Sequence, residues 1–352
     1  MGVDRQIVLR FGGPGIAAVE IEDVSTLHWD GRQLWLAADE FPRFERLTER
    51  SEDASYGDHR TFVIGDFVDL PEGAANEVDV EGVDRQGDYL WLVGSHSRTR
   101  RQVKARDVRD GRAADLARVD DQANRHVLIR IALAPDGEGL VPTRSTTTAN
   151  GEPLTSAVLI GEITTALGSD KHFKHFLKIP SKDNGLDVEG LVAFDDRIMV
   201  GLRGPVLRGW ASILEVRPVS MPANTGRLTL GTPPYRKHFL DLDGLGVRDL
   251  CRDGDDVLIL AGPTMIIDGP SRVYRWHDAL HAEEVEVVDR NRVTLVTELP
   301  FGAGDDHAEG ITLLRTEGEP TVLLVVYASP AAVRLTHGAG TLLADVVVMP
   351  FP

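Results

Sequence analysis

A short phrase, an acidic or polar pair leading into a hydrophobic strand, recurs at five points along this chain. Its copies are Glu22-Asp23-Val24-Ser25-Thr26-Leu27, Val78-Asp79-Val80-Glu81-Gly82-Val83, Leu186-Asp187-Val188-Glu189-Gly190-Leu191, Gly246-Val247-Arg248-Asp249-Leu250 and His307-Ala308-Glu309-Gly310-Ile311. Each leads to a second apolar run: Leu34-Trp35-Leu36, Leu90-Trp91-Leu92-Val93, Ile198-Met199-Val200, Val257-Leu258-Ile259-Leu260 and Leu323-Leu324-Val325-Val326. Self-similarity at a long period sets architecture before any local propensity does, because one repeat cannot bury its apolar face alone. The pattern predicts an all-β fold, a β-propeller with five recognisable repeats and five or six blades.

Aligned on the apolar runs, Ser25, Glu81, Glu189, Arg248 and Glu309 occupy one equivalent position, at intervals of 56, 108, 59 and 61 residues. Three intervals suit one four-stranded blade. The long one reads as a blade with insertions rather than two blades, although a degenerate sixth blade around His126–Leu133 is the alternative. A charged insertion covers 98–125, and a helical insertion is expected at 154–176, where Leu159, Ile163, Ala166 and Leu167 have helix-compatible spacing. Third strands are expected at Thr61–Phe67, His126–Leu133, Ser212–Val216, Arg272–Trp276 and Leu342–Met349. The strand Gln6–Phe11 has no phrase of its own. It is expected to complete the last blade, closing the ring and removing a sheet edge. Residues 1–352 thus read as a single propeller domain, since blades share one architecture.

A formal charge of −17 argues against sequence-independent binding to nucleic acid and against docking on an anionic membrane. The N-terminal residues show no apolar stretch of signal length, and no run reaches membrane-spanning length. The lone Cys251 rules out an internal disulfide and a cysteine-rich zinc site. A cytoplasmic location is the default reading. Only six of 38 basic residues are lysine, which suits a GC-rich bacterial genome.

In a propeller the repeat phrase opens on one face of the central channel, and the loop after each second strand returns there. The fold would gather Asp79, Glu81, His96, Arg98, Asp187, Glu189, Arg203, Arg248, Asp249, His307 and Glu309 into one polar bowl. Like-charge carboxylates about 6 Å apart at an effective dielectric of about 20 repel by roughly 3 kcal/mol per pair. A raised pKa, neighbouring arginines or a bound cation must offset this. The acidic excess suits calcium or another divalent cation, with Asp79, Glu81, Asp187, Glu189 and Glu309 as ligands. Glu81 and Glu189 are candidate water-activating carboxylates, His96 and His307 candidate acid/base groups, and Arg98, Arg203 and Arg248 candidate anion holders. A structural use stands beside this: the carboxylates would accept backbone N–H bonds from the next blade, with Gly82, Gly190 and Gly310 supplying unusual dihedrals. Ser95-His96-Ser97 lacks the Gly-x-Ser-x-Gly context of a nucleophile, and Asp241-Leu242-Asp243-Gly244 lacks the later glutamate of a calcium loop.

Three pairings carry a family resemblance: Asp79-Val80-Glu81-Gly82-Val83 with Gly94-Ser95-His96-Ser97-Arg98, Asp187-Val188-Glu189-Gly190-Leu191 with Gly201-Leu202-Arg203-Gly204-Pro205, and Ala308-Glu309-Gly310-Ile311. From about Val19 to Tyr327 the chain resembles a bacterial domain-of-unknown-function family and, more distantly, phytase-like and esterase-like β-propellers. The resemblance implies a polar central face, calcium, and hydrolysis of phosphate or carboxyl esters. The reading is a propeller binding a divalent cation and a small anionic ligand at its channel mouth. The alternative is a non-catalytic platform for a protein partner, with the insertion after Arg98 as its recognition element.

Overall fold

The computed structural model describes residues 3–12, 24–38, 41–101, 103, 112–137, 139–221, 226–282, 286–316 and 318–349. Five groups of strands, numbered here as sheets I to V, follow one another along the chain, and the pairing of Leu9 with Tyr56 joins the first and the last edge to edge. Sheet I contains Val24–Trp29, Gln33–Ala38, Arg43–Arg50 and Ser55–Val63. Sheet II contains Val80–Gln86, Tyr89–Gly94, Val127–Asp136 and Gly139–Thr143. Sheet III runs through Asp187–Phe194, Arg197–Leu207, Trp210–Ser220 and Leu228–Asp241. Sheet IV consists of Gly246–Asp253, Asp256–Gly262, Ser271–Trp276 and Val293–Leu299. Sheet V takes His307–Leu314, Val322–Ala328 and Thr341–Val348, and its fourth strand is Arg5–Arg10 from the opposite end of the chain. That strand pairs antiparallel with Thr341–Val348 from Arg5↔Val346 to Arg10↔Thr341, so the expected closure is present.

The first strands contact one another in a ring, I to II to III to IV to V and back to I. The second strand of each sheet is buried on both faces, which is why these strands read as continuous apolar runs. Along Asp256–Gly262, Val257, Ile259 and Ala261 join the core shared with sheet III, while Leu258 and Leu260 join the core shared with sheet V. Likewise Leu34 and Leu36 face sheet V, and Trp35 and Ala37 face sheet II. A fifth core lies between sheets II and III, where Trp91 and Val93 meet Leu191 and Val200.

His126–Leu133 is no separate blade: from Val127 on it belongs to the third strand of sheet II, paired with Tyr89–Gly94. The third strand expected at Thr61–Phe67 is displaced: Arg43–Arg50 holds that place in sheet I, and Thr61–Val63 end its fourth strand before a 3-10 segment at Ile64–Asp66. In the second insertion only Glu162–Leu167 is helical. Leu159 instead lies in a strand, Ala157–Ile160, that pairs with Val127–Arg130. In the charged insertion a short helix, Arg112–Ala117, and the paired strands Thr99–Arg100 and Val119–Asp120 are described; Lys104, Arg106, Asp107, Arg109 and Asp110 lie outside the described residues. Among the described residues no helix is long and apolar enough to cross a membrane.

Side chains lock neighbouring sheets together through backbone N–H groups. Thr26 Oγ1 accepts from Val83 N at 3.3 Å, Asp84 Oδ2 from Ala193 N at 2.7 Å, and Thr312 Oγ1 from Trp29 N at 3.0 Å. Asp249, 1% exposed, accepts from Ile311 N and Leu250 N, both at 2.8 Å. Burial drives its carboxyl well above the usual range, and the two N–H bonds only partly offset this. Asp249→Ala leaves two buried donors without an acceptor and is expected to cost about 3 kcal/mol in urea denaturation. A loss under about 1 kcal/mol would mean that the sheet IV–V contact does not depend on these bonds.

Candidate functional site

All five repeat residues stand at the same kind of backbone irregularity. Pairing slips between Val24 and Thr26, Val80 and Gly82, Val188 and Leu191, Val247 and Asp249, and Ala308 and Gly310. Ser25, Glu81, Glu189, Arg248 and Glu309 are therefore the residues of five β-bulges. A bulge leaves its extra residue outside the ladder and re-aims its side chain. Close packing explains the glycine that follows: a Cβ on Gly82 would lie 2.8 Å from Leu191 Cβ. Of the three glycines expected to have unusual dihedrals only Gly190 does, at φ 82°.

The backbone locks just described belong to Thr26, Asp84, Asp249 and Thr312, and the glutamates meet arginines instead. Arg203 Nη1 donates to Glu189 Oε1 at 2.9 Å and lies 3.7 Å from Asp187 Oδ2. Arg248 Nε is 3.0 Å from Glu189 Oε2, and its Nη2 pairs with Glu309 Oε1. The arginine copy of the phrase thus sits on the sheet between those of two glutamate copies and bridges them. In sheet II, Arg125 reaches Asp79 Oδ2 at 2.5 Å and also pairs with Glu77. The charge of Glu81 acts on Arg125, Arg203 and Arg248. Ser25, the neutral copy, donates to Val80 O at 2.6 Å.

Burial penalises the Glu189 carboxylate, but Arg248 and Arg203 outweigh that and hold its pKa below the usual value. Asp187 goes the other way: burial, then the charge of Glu189, raises it to about 7. A carboxylate held by two arginines is a weak base, which counts against Glu189 as the activator of water.

The expected calcium ligands do not fit a calcium ion in this arrangement. Asp79, Asp187, Glu189 and Glu309 each face a guanidinium at the oxygens a cation would need, and Glu81 sits in the field of the same arginines. Among the described residues no group of three or more His, Cys, Asp or Glu is placed to hold a metal.

Of the eleven residues expected in the bowl, Arg203, Arg248, His307 and Glu309 line the pocket at the channel mouth. Its volume is about 570 Å³, and Lys182 and Asp268 are among the others that line it. His307 Nε2 is 3.2 Å from Asp268 Oδ1, which also accepts from Gly304 N at 2.9 Å. His96 does not line this pocket. Its backbone is left-handed at φ 52°, and its ring is buried edge-on to His126 at 5.8 Å. Burial, followed by the charge of His126, lowers its pKa to about 3, so it is neutral near pH 7 and unsuited to acid catalysis. Arg98 is also outside the pocket, paired with Asp121 at 2.6 Å. The Ser95 hydroxyl accepts from Ser97 Oγ at 3.0 Å. Glu22 and Asp23, the acidic pair of the first phrase, lie outside the described residues.

The sequence reading missed Lys182, Arg125 and Asp268. Arg125 ends the stretch read as a charged insertion, Asp268 lies in the loop after the second strand of sheet IV, and Lys182 precedes the third phrase by four residues.

The family model described as "Protein of unknown function (DUF3616)" matches residues 23–345. The chain belongs to this family. No curated protein matches it. Among solved structures, the catalytic domain of the Coprinopsis cinerea GH62 alpha-L-arabinofuranosidase is similar at 10% identity and a TM-score of 0.41, covering 99% of this chain and 97% of that one. The Cellvibrio cellulosa alpha-L-arabinanase is similar at 10% identity and a TM-score of 0.40, covering 94% and 93%. A luciferin-regenerating enzyme is similar at 10% identity and a TM-score of 0.35, covering 99% and 82%. Likenesses this slight carry no activity to a DUF3616 chain. They also lend no support to the expected kinship with phytase-like and esterase-like propellers.

Proposed function

We propose that this DUF3616 protein binds a small anionic ligand in the channel-mouth pocket and hydrolyses a phosphate or carboxyl ester there. The observation that carries the proposal is the gathering of Lys182, Arg203 and Arg248 in one pocket with His307 and Glu309. Lys182 is exposed and has no ion pair among the described residues, so its charge is available. Arg203 Nε is buried without a hydrogen-bond partner among them. Charge-assisted bonds from such donors are the strong ones, and they position an anion. With Nε2 of His307 turned to Asp268, Nδ1 is left to take a proton from water as it attacks the ester. The leaving alkoxide would be protonated by that imidazolium.

The test is a calorimetric titration of the intact protein with inorganic phosphate and with acetate, with and without chelator. Lys182→Ala is expected to weaken binding about tenfold, the worth of one charge-assisted bond. Chelator is expected to leave the affinity unchanged. In a screen of nitrophenyl esters, His307→Asn is expected to lower kcat by about 10²-fold or more with binding retained. Equal affinity in wild type and Lys182→Ala would remove the anion site, and calcium-dependent binding would restore a metal to the mouth.

A further inference from the structure

The pocket has a second chemistry that its cationic end leaves unexplained, and the inference drawn from it rests on the anion-binding reading above. Met265, Ile266 and Ile267, on the loop between the second and third strands of sheet IV, line the same pocket as Lys182, Arg203 and Arg248. They are 45%, 69% and 58% exposed. Single exposed apolar residues need no explanation, but three in a row beside a recess mark a contact surface. The loop is also fixed in place: Ile267 N donates to Met265 O at 2.8 Å, and Asp268 ties it to Gly304 and His307 of the next sheet. A volume of about 570 Å³ far exceeds what an inorganic anion fills and suits a small organic ligand.

We infer that the ligand is an amphiphile, with a carboxylate or phosphate monoester head at the cationic end and an apolar tail of several carbons against Met265, Ile266 and Ile267. The head would be oriented by charge and the tail selected by the apolar area it removes from water.

The experiment is a calorimetric titration of the full chain with acetate, butyrate, hexanoate and octanoate, repeated on an Ile266→Ser/Ile267→Ser variant. Both positions are exposed, so the variant is expected to keep the wild-type thermal midpoint. Affinity is expected to rise about threefold per added methylene in the wild type. In the variant the series should flatten, with acetate bound as before. Equal affinity for all four acids in both proteins would overturn the inference and leave the anion site standing. Failure of every acid, and of phosphate, would overturn both. Sedimentation of the two proteins covers a second copy as occupant. If the serine variant loses a dimer and keeps the chain-length series, the loop is a self-association surface and the inference fails.

Discussion

Arg248→Met is expected to lower the stability of the folded chain by about 3–5 kcal/mol in chemical denaturation. Arg248 is 7% exposed and bridges Glu189 to Glu309. Methionine fills much of the same volume, so the loss would report charge more than shape. Without the guanidinium, Glu189 keeps Arg203 but loses its other partner in a site that is 3% exposed. Desolvation then falls on a carboxylate whose compensation has been halved, and breaking one side of a buried pair costs far more than the pair's net contribution. The rescue separates this account from simple loss of packing. Adding Glu189→Gln and Glu309→Gln to Arg248→Met removes the uncompensated charges and is expected to recover roughly half of the loss or more. A triple variant no more stable than Arg248→Met would make the side chain's packing its main contribution.

The ring was legible because its signal is periodic. Five phrases gave five inner strands, and the equivalence of Ser25, Glu81, Glu189, Arg248 and Glu309 holds down to the β-bulge that each occupies. The closing strand was legible from a sheet edge that would otherwise stay open. The insertion at 154–176 does hold a helix, Glu162–Leu167, but a shorter one than expected, because the helical spacing of Leu159 and Ile163 is coincidental: Leu159 lies in the strand that precedes it. The site was harder to read, since sequence places residues near the mouth without saying which way they turn. His96 follows the second strand as Arg203 does, yet a left-handed backbone folds it inward against His126. The charge count pointed to a cation because Arg125 was counted with the charged insertion and not with the channel. Once Arg125, Arg203 and Arg248 are all turned toward the channel, the carboxylates have partners from the chain itself. Lys182 and the Met265–Ile267 loop sit outside the repeat, where no periodicity could flag them.

Asp187 should make the protein less stable as pH rises, which is the opposite of the usual carboxylate effect. Its pKa is about 7 in the folded chain against 3.8 for the unperturbed group. Below about pH 4 both states hold the proton and the group contributes nothing to the difference. Between pH 4 and 7 the unfolded chain releases its proton while the folded chain retains it, so unfolding is favoured more at each step. Above about pH 7 the penalty is complete, on the order of a few kcal/mol. Glu189 acts with the opposite sign: its lowered pKa gives stability that is present above about 4.5 and lost on further acidification. Asp249, whose carboxyl burial also raises, acts with the same sign as Asp187 but is present in both proteins compared below, so it cancels from their difference. Asp187→Asn keeps a neutral side chain of the same shape near Arg203 and removes the titration. Urea denaturation of the two proteins from about pH 4.5 to 7 is expected to give a difference in stability that grows with pH in favour of the variant, then levels off. Parallel curves would mean that Arg203, 3.7 Å from Asp187 Oδ2, holds both carboxylates ionised. The channel would then carry its full acidic charge at neutral pH, and an anionic ligand would have to be held by Lys182 and the outer edge of Arg248 against that field.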